Sequence, residues 1–173
     1  MLAPWRDDDF SVVEIGIGVN GDLGFSPAAQ GVNAEGGASL KMWQEFFTRA
    51  QIWGLDINKA THLETERIKT YQINQDSREQ LEAFAAQARD GTPPRIRCVL
   101  DDGSHASVHQ QLTMGVFFPL LEPGGVYILE DLHYQCFHRE EGDANQGYEL
   151  EEDTKTVDVL QANPRHPSCR FFL

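Results

Sequence analysis

The sequence predicts an α/β domain with a mostly parallel central sheet and helices on both faces. Strand-like and helix-like segments alternate strictly from residue 12 to residue 129, the pattern that right-handed crossovers between parallel strands impose. Four of the five strand segments end in or carry an acid: Glu14, Asp56, the pair Asp101 and Asp102, and the pair Glu130 and Asp131. Asp76 follows the third segment closely. Ligands of such sheets bind beyond the carboxyl ends of the strands, so this acid-lined edge is the expected site. A length of 173 residues without a repeat suits a single domain over 1–173, large enough to bury a core without disulfides.

The first strand is the run VVEIGI at 12–17. Leu40, Trp43, Phe46, Phe47 and Ala50 then fall at helical spacing, and the helix opens near Ala38. The second strand is QIWGLDI at 51–57 and the third is 68–73. Ser77 is placed to cap a helix whose apolar face is Leu81, Phe84, Ala85 and Ala88, with Asp90, Gly91 and the pair Pro93 and Pro94 stopping it. The fourth strand is IRCVL at 96–100. Val108, Leu112, Phe117 and Leu121 mark the face of the next helix, which Pro123, Gly124 and Gly125 end. The fifth strand is 126–129. Beyond it, 139–153 holds seven acids and two glycines and reads as a mobile acidic loop that could close over a substrate. Residues 154–162 read as a last helix, and 169–173 are strand-like.

Charge narrows the partners. Fourteen Lys and Arg against 27 Asp and Glu give a formal net charge of −13. The basic residues are scattered, Arg95 and Arg97 being as close as they come. Such a body repels phosphate backbones and anionic bilayers, which argues against nucleic acid and membrane and for a divalent cation or a cationic ligand. No run approaches the ~18 apolar residues of a membrane span, and the acidic start has no signal-peptide core. Three cysteines, Cys98, Cys136 and Cys169, lack the spacing of a disulfide framework and fit free thiols in a reducing cytoplasm.

Gly16, Gly18 and Gly21 spell G-x-G-x-x-G after a strand. A nicotinamide site would need a helix at once and an acid about 20 residues on. Pro27, Gly31, Gly36 and Gly37 delay the helix, and Asp56 lies too far along. The smaller pattern Glu14-x-Gly16-x-Gly18 carries more. Glycines let a ligand lie on bare backbone. An acid ending strand two can accept both hydroxyls of a ribose, and Asp76 can reach an adenine amino group. With Leu121, Pro123, Gly124 and Gly125 before strand five, this combination resembles the class I S-adenosylmethionine methyltransferases.

The acids after strands four and five sit on neighbouring strands about 4.8 Å apart. Carboxylates so close repel one another unless a cation lies among them, and oxygen ligands alone select a hard ion such as Mg²⁺. Capping of a helix by Asp102 or Ser104 accounts for part of the pattern. His105 and His109, at i and i+4, could instead bind zinc with His133 and with Cys136 or His138, as in a hydrolase. A non-catalytic donor-binding module is the other competing class.

The resemblance sharpens on longer runs. GGASLKMW at 36–43, GLDI at 54–57, DDGSH at 101–105, FPLLEPGG at 118–125 and EDL at 130–132 look like the metal-dependent macrolide sugar O-methyltransferases of mycinamicin type. The cephalosporin-hydroxylase-like family is similar. The match spans residues 12 to about 134. It implies S-adenosyl-L-methionine held by Glu14, Gly16, Gly18, Asp56 and Asp76, with Ser39, Gln75 and Asp101 also on the donor side. It implies Mg²⁺ on Asp102, Glu130 and Asp131, with a small-molecule hydroxyl as methyl acceptor. His105 becomes the base, a task suited to imidazole with its ordinary pKa of about 6.5. Two differences are expected from the same resemblance: a segment from Val19 to Gly37 longer than usual, and a chain without the N-terminal accessory domain that the macrolide enzymes can carry. Residues 170–173 then read as a sixth strand without its antiparallel neighbour. The C-terminal strand pair is expected to be incomplete, and an open edge of this kind invites a second copy of the chain, so a homo-oligomer is expected.

Overall fold

The computed structural model describes residues 2–19, 35–132 and 155–162. Five strands form one parallel sheet: β1 (Ser11–Ile15), β2 (Gln51–Asp56), β3 (Ile68–Gln72), β4 (Ile96–Asp101) and β5 (Val126–Leu129), in the order β3-β2-β1-β4-β5. The helices are α1 (Ala38–Phe46), α2 (Arg78–Arg89), α3 (Ser107–Phe117) and α4 (Thr156–Ala162). The expected α/β architecture with helices on both faces is the one observed.

Successive side chains of a strand point to opposite faces, and both faces are apolar. Val12, Ile52, Ile68 and Cys98 pack on one face with Leu40 and Phe47 from α1 and the turn that follows it. Val13, Ile15, Trp53, Leu55 and Val99 pack on the other with Leu81 and Phe84 of α2, Val116 and Phe117 of α3 and Leu160 of α4. Each large side chain so buried contributes about 1.5–3 kcal/mol. The Ser77 hydroxyl caps α2 by accepting from the Gln80 N–H, as its position predicts.

The chain builds β1, β2 and β3 outward on one side, then returns across β1 to place β4 on the other. The point where the direction reverses lies between β1 and β4, and there the crevice of a doubly wound sheet opens. Register aligns the strand ends: Ile15 sits beside Leu55 and Asp101, and Asp101 sits beside Leu129. The residues next in line, Gly16, Asp56, Asp102 and Glu130, therefore form one row along the carboxyl edge.

Several sequence expectations need correction. β1 stops at Ile15 rather than residue 17, because Gly16 turns into a left-handed conformation (φ 80°) and leaves the ladder. α3 does not bury the face marked by Val108. That side chain is 47% exposed, and the buried stripe is Ser107, His109, Gln110, Thr113, Val116 and Phe117. α3 also ends at Phe117, with Phe118–Leu120 continuing as a 3-10 turn. The acidic segment 139–153, the strand-like 169–173 and the sixth strand read from them lie outside the described residues. Among those residues β5 is an edge strand, and no helix is long and apolar enough to cross a membrane.

Candidate active site

Gly16 meets the loop after β4 directly. A Cβ on Gly16 would overlap the Asp102 carbonyl and Gly103, so the glycine is needed for two backbones to close on each other as much as for any ligand. The Asp102 N–H donates to the Ile15 carbonyl at 2.9 Å and the Glu130 N–H to that of Asp101 at 3.0 Å. These bonds fix the first residue past each strand.

On the α1 side, Glu14 is buried and accepts from the Ser39 hydroxyl and from Trp43 Nε1 at 2.8 Å. Burial pushes its carboxyl up to about 7, against the two hydrogen bonds and with help from the charges of Asp102 and Glu130. Asp56 accepts the Ile17 N–H at 3.1 Å and the Asn58 N–H at 2.8 Å, one on each oxygen. It thereby ties the glycine turn, with Gly18 also left-handed at φ 67°, to the end of β2. Trp43 carried no site reading in the sequence, and its contact with Glu14 depends on the rotation of α1.

Asp101 is fully buried at the end of β4. It accepts from Thr113, from Gln75 Nε2 at 2.8 Å, and more distantly from the Gly103 N–H and the Tyr127 hydroxyl. Burial raises it to about 6, the hydrogen bonds opposing the rise. Gln75 also accepts the Ser104 N–H at 2.8 Å on its other amide atom. Gln75 and Asp101 thus face the interior behind the edge, where they hold the loop after β4. Asp76, by contrast, is exposed, with His109 Nε2 3.2 Å from one of its oxygens.

Among the described residues, one group of three side chains offers converging metal-ligand atoms: Asp102, His105 and Asp131, all within 4.8 Å of one another. His105 Nε2 and Asp131 Oδ2 are 3.7 Å apart. Both residues are left-handed, with φ 61° and 54°, a conformation that costs a side-chain-bearing residue about 1–3 kcal/mol and persists only where neighbours enforce it. Glu130 sits in the same row with an exposed side chain outside that group, while its carbonyl accepts from the buried Gln110 at 3.2 Å. Burial, and next the charges of Glu130, Asp131 and Asp101, raise Asp102 to about 7. The three neighbouring acids crowd negative charge at this edge. Oxygen ligands in such a setting fit a hard divalent ion.

His105 precedes α3 rather than lying on it, so His105 and His109 do not share a helical face. The i, i+4 zinc pair is not formed. Its proposed third and fourth ligands, His133, Cys136 and His138, lie outside the described residues. Of the polar residues that support the edge, His109 was read only as a possible zinc ligand, and Gln110 and Thr113 went unread in the sequence. Their signal was a polar trio at i, i+1 and i+4 on the helix that follows an acid-ended strand.

The chain is 38% identical over 128 residues to the mycinamicin VI 2''-O-methyltransferase of Micromonospora griseorubida, a stretch covering 74% of this chain and 28% of that protein. It is 41% identical over 132 residues to the 8-demethyl-8-alpha-L-rhamnosyl tetracenomycin-C 2'-O-methyltransferase of Streptomyces olivaceus, 76% of this chain and 31% of that one. The solved structure of the MycE methyltransferase of mycinamycin biosynthesis, in complex with Mg, SAH and mycinamycin VI, superposes with a TM-score of 0.70 at 29% identity, over 92% of this chain and 37% of MycE.

This chain is a relative of the MycE-type sugar O-methyltransferases.

It spans about a third of the length of these MycE-type relatives. No protein-family model matches it. The aldohexose dehydrogenase of Thermoplasma acidophilum superposes with a TM-score of 0.58 at 9% identity, over 97% of this chain and 65% of that one, which shows the fold alone.

Proposed function

We propose that this chain carries the donor- and metal-binding machinery of a Mg²⁺-assisted O-methyltransferase acting on a sugar hydroxyl of a natural product. The observation that carries the reading is the convergence of Asp102, His105 and Asp131 beyond the carboxyl ends of β4 and β5. The named activities of the MycE-type relatives support the acceptor class.

On the donor side, Asp56 takes the ribose hydroxyls with lone pairs left over from its two backbone bonds. Gly16 and Gly18 leave room along the backbone. Glu14, buried and held by Ser39 and Trp43, stands two residues before Gly16 on this donor side, and Asp76 lies on the adenine side. Gln75 and Asp101 hold the wall behind. Bound there, S-adenosylmethionine supplies an electrophilic methyl group on sulfur. Asp102, Asp131 and Glu130 would hold Mg²⁺, which supplies positive charge that lowers the pKa of an acceptor hydroxyl. His105 takes the hydroxyl proton on its ring nitrogen, and Asp131 beside it stabilises the imidazolium that forms. Proton removal at this position contributes about 10²–10⁴ in rate.

Calorimetric titration of the full chain with S-adenosylhomocysteine, with and without Mg²⁺, tests the reading, paired with transfer of labelled methyl to a glycosylated macrolide. Binding of the nucleoside, and transfer that stops with chelator and returns with Mg²⁺, are expected. Absence of nucleoside binding, or restoration by Zn²⁺ alone, would overturn it.

A further inference from the structure

Ser104 immediately precedes His105, and three contacts fix it. Its N–H donates to Gln75 at 2.8 Å. Its hydroxyl lies 2.7 Å from Nδ1 of His109 and accepts the Ala106 N–H at 3.4 Å. The other ring nitrogen of His109, Nε2, lies 3.2 Å from Asp76 Oδ1. With the hydrogen on Nε2, facing the Asp76 carboxylate, Nδ1 accepts from the Ser104 hydroxyl. The donors therefore run in one direction: the Ala106 N–H to Ser104, the Ser104 O–H to His109, and His109 to Asp76. His109 itself is 4% exposed on α3.

We propose that His109 is a positioning residue that couples the adenine-side loop, through Asp76, to the loop that carries Asp102 and His105, through Ser104. The inference rests on the reading of this edge as a donor and base site. Its physical basis is the left-handed backbone of His105. A side-chain-bearing residue stays there only when its neighbours over-determine it, and the grips on Ser104 from Gln75 and His109 come from two separate elements. Whatever orders Asp76 then also orders Ser104, and with it the direction of the His105 ring.

Two shortened replacements separate the two ends of the ring. In His109→Asn the amide lies near the Nδ1 position and keeps the Ser104 partner while giving up Asp76. In His109→Gln the amide reaches the Nε2 position and keeps Asp76 while giving up Ser104. The Asn variant is expected to weaken S-adenosylhomocysteine binding about tenfold with kcat within about threefold of the parent, and the Gln variant to do the reverse, the scale of one lost hydrogen bond to a charged or fixed group. In the ligand-free full chain, ¹⁵N NMR should find His109 with hydrogen on Nε2. A ring with hydrogen on Nδ1, or two variants that both match the parent in affinity and kcat, would overturn the proposal. A parent chain that binds no S-adenosylhomocysteine would instead sink the donor-site reading, while the ring hydrogen on Nε2 remains a test of the relay by itself.

Discussion

Glu14 illustrates how much a single residue can set against its own fold. Its carboxyl is held near 7 in the folded chain, against an ordinary 4.5, chiefly by burial. A raised acid favours the protonated folded state, so this group's contribution to stability is greatest below pH 4.5 and is lost as pH rises through 7. Glu14→Gln removes the charge and keeps both partners, since the amide can accept from Trp43 and donate to Ser39. The variant should exceed the parent in stability at pH 8 by about 1–3 kcal/mol, the advantage fading toward pH 4.5. Urea titration at the two pH values measures it, and a difference independent of pH would contradict the burial of a charged Glu14. His105 makes the complementary case. His105→Ala should lower kcat by about 10²–10⁴ and leave S-adenosylhomocysteine affinity nearly unchanged. Steady-state kinetics beside calorimetry reads both, and a variant within threefold of the parent in kcat would demote His105 to a structural role.

At the scale of elements, α3 is where sequence and structure part. Val108 and Leu112 gave it an apolar periodicity, yet Val108 faces out and His109, Gln110 and Thr113 face in. The reason lies on β4. Asp101 ends that strand fully buried, and a buried carboxyl requires hydrogen-bond donors. Thr113 supplies one such donor, Gln110 donates to the Glu130 carbonyl and His109 meets Ser104, polar contacts that a periodicity of apolar residues does not register. The strands were legible because continuous apolar runs mark strands covered on both faces. Their ends were less so, since the left-handed turn at Gly16 breaks the ladder where the hydrophobic pattern continues into Ile17. Thr113→Val tests the role of α3: it preserves shape and removes the hydroxyl that Asp101 accepts. A loss of about 1–3 kcal/mol is expected at pH 8, where Asp101 is ionised, and a smaller one at pH 5. Denaturant melts at both values decide it, and a neutral substitution would mean that Gln75 and Tyr127 suffice.

For the molecule as a whole, the order β3-β2-β1-β4-β5 converts residues far apart in sequence into one row. Acids at strand ends were readable residue by residue, and the edge they line was predicted from alternation alone. Unreadable was the support: the closure of Gly16 on Asp102, the inward turn of Gln75, and the left-handed backbones of His105 and Asp131 all depend on tertiary contact. The charge of −13 is in keeping with an edge that attracts a divalent cation. The central claim, a cation held at Asp102 and Asp131 beside His105, is tested most directly by electron paramagnetic resonance with Mn²⁺ in place of Mg²⁺, titrated into the full chain. The expected result is one bound ion per chain, displaced by Mg²⁺ and lost in Asp102→Asn. A spectrum of free Mn²⁺ throughout the titration, or binding unchanged in Asp102→Asn, would contradict it.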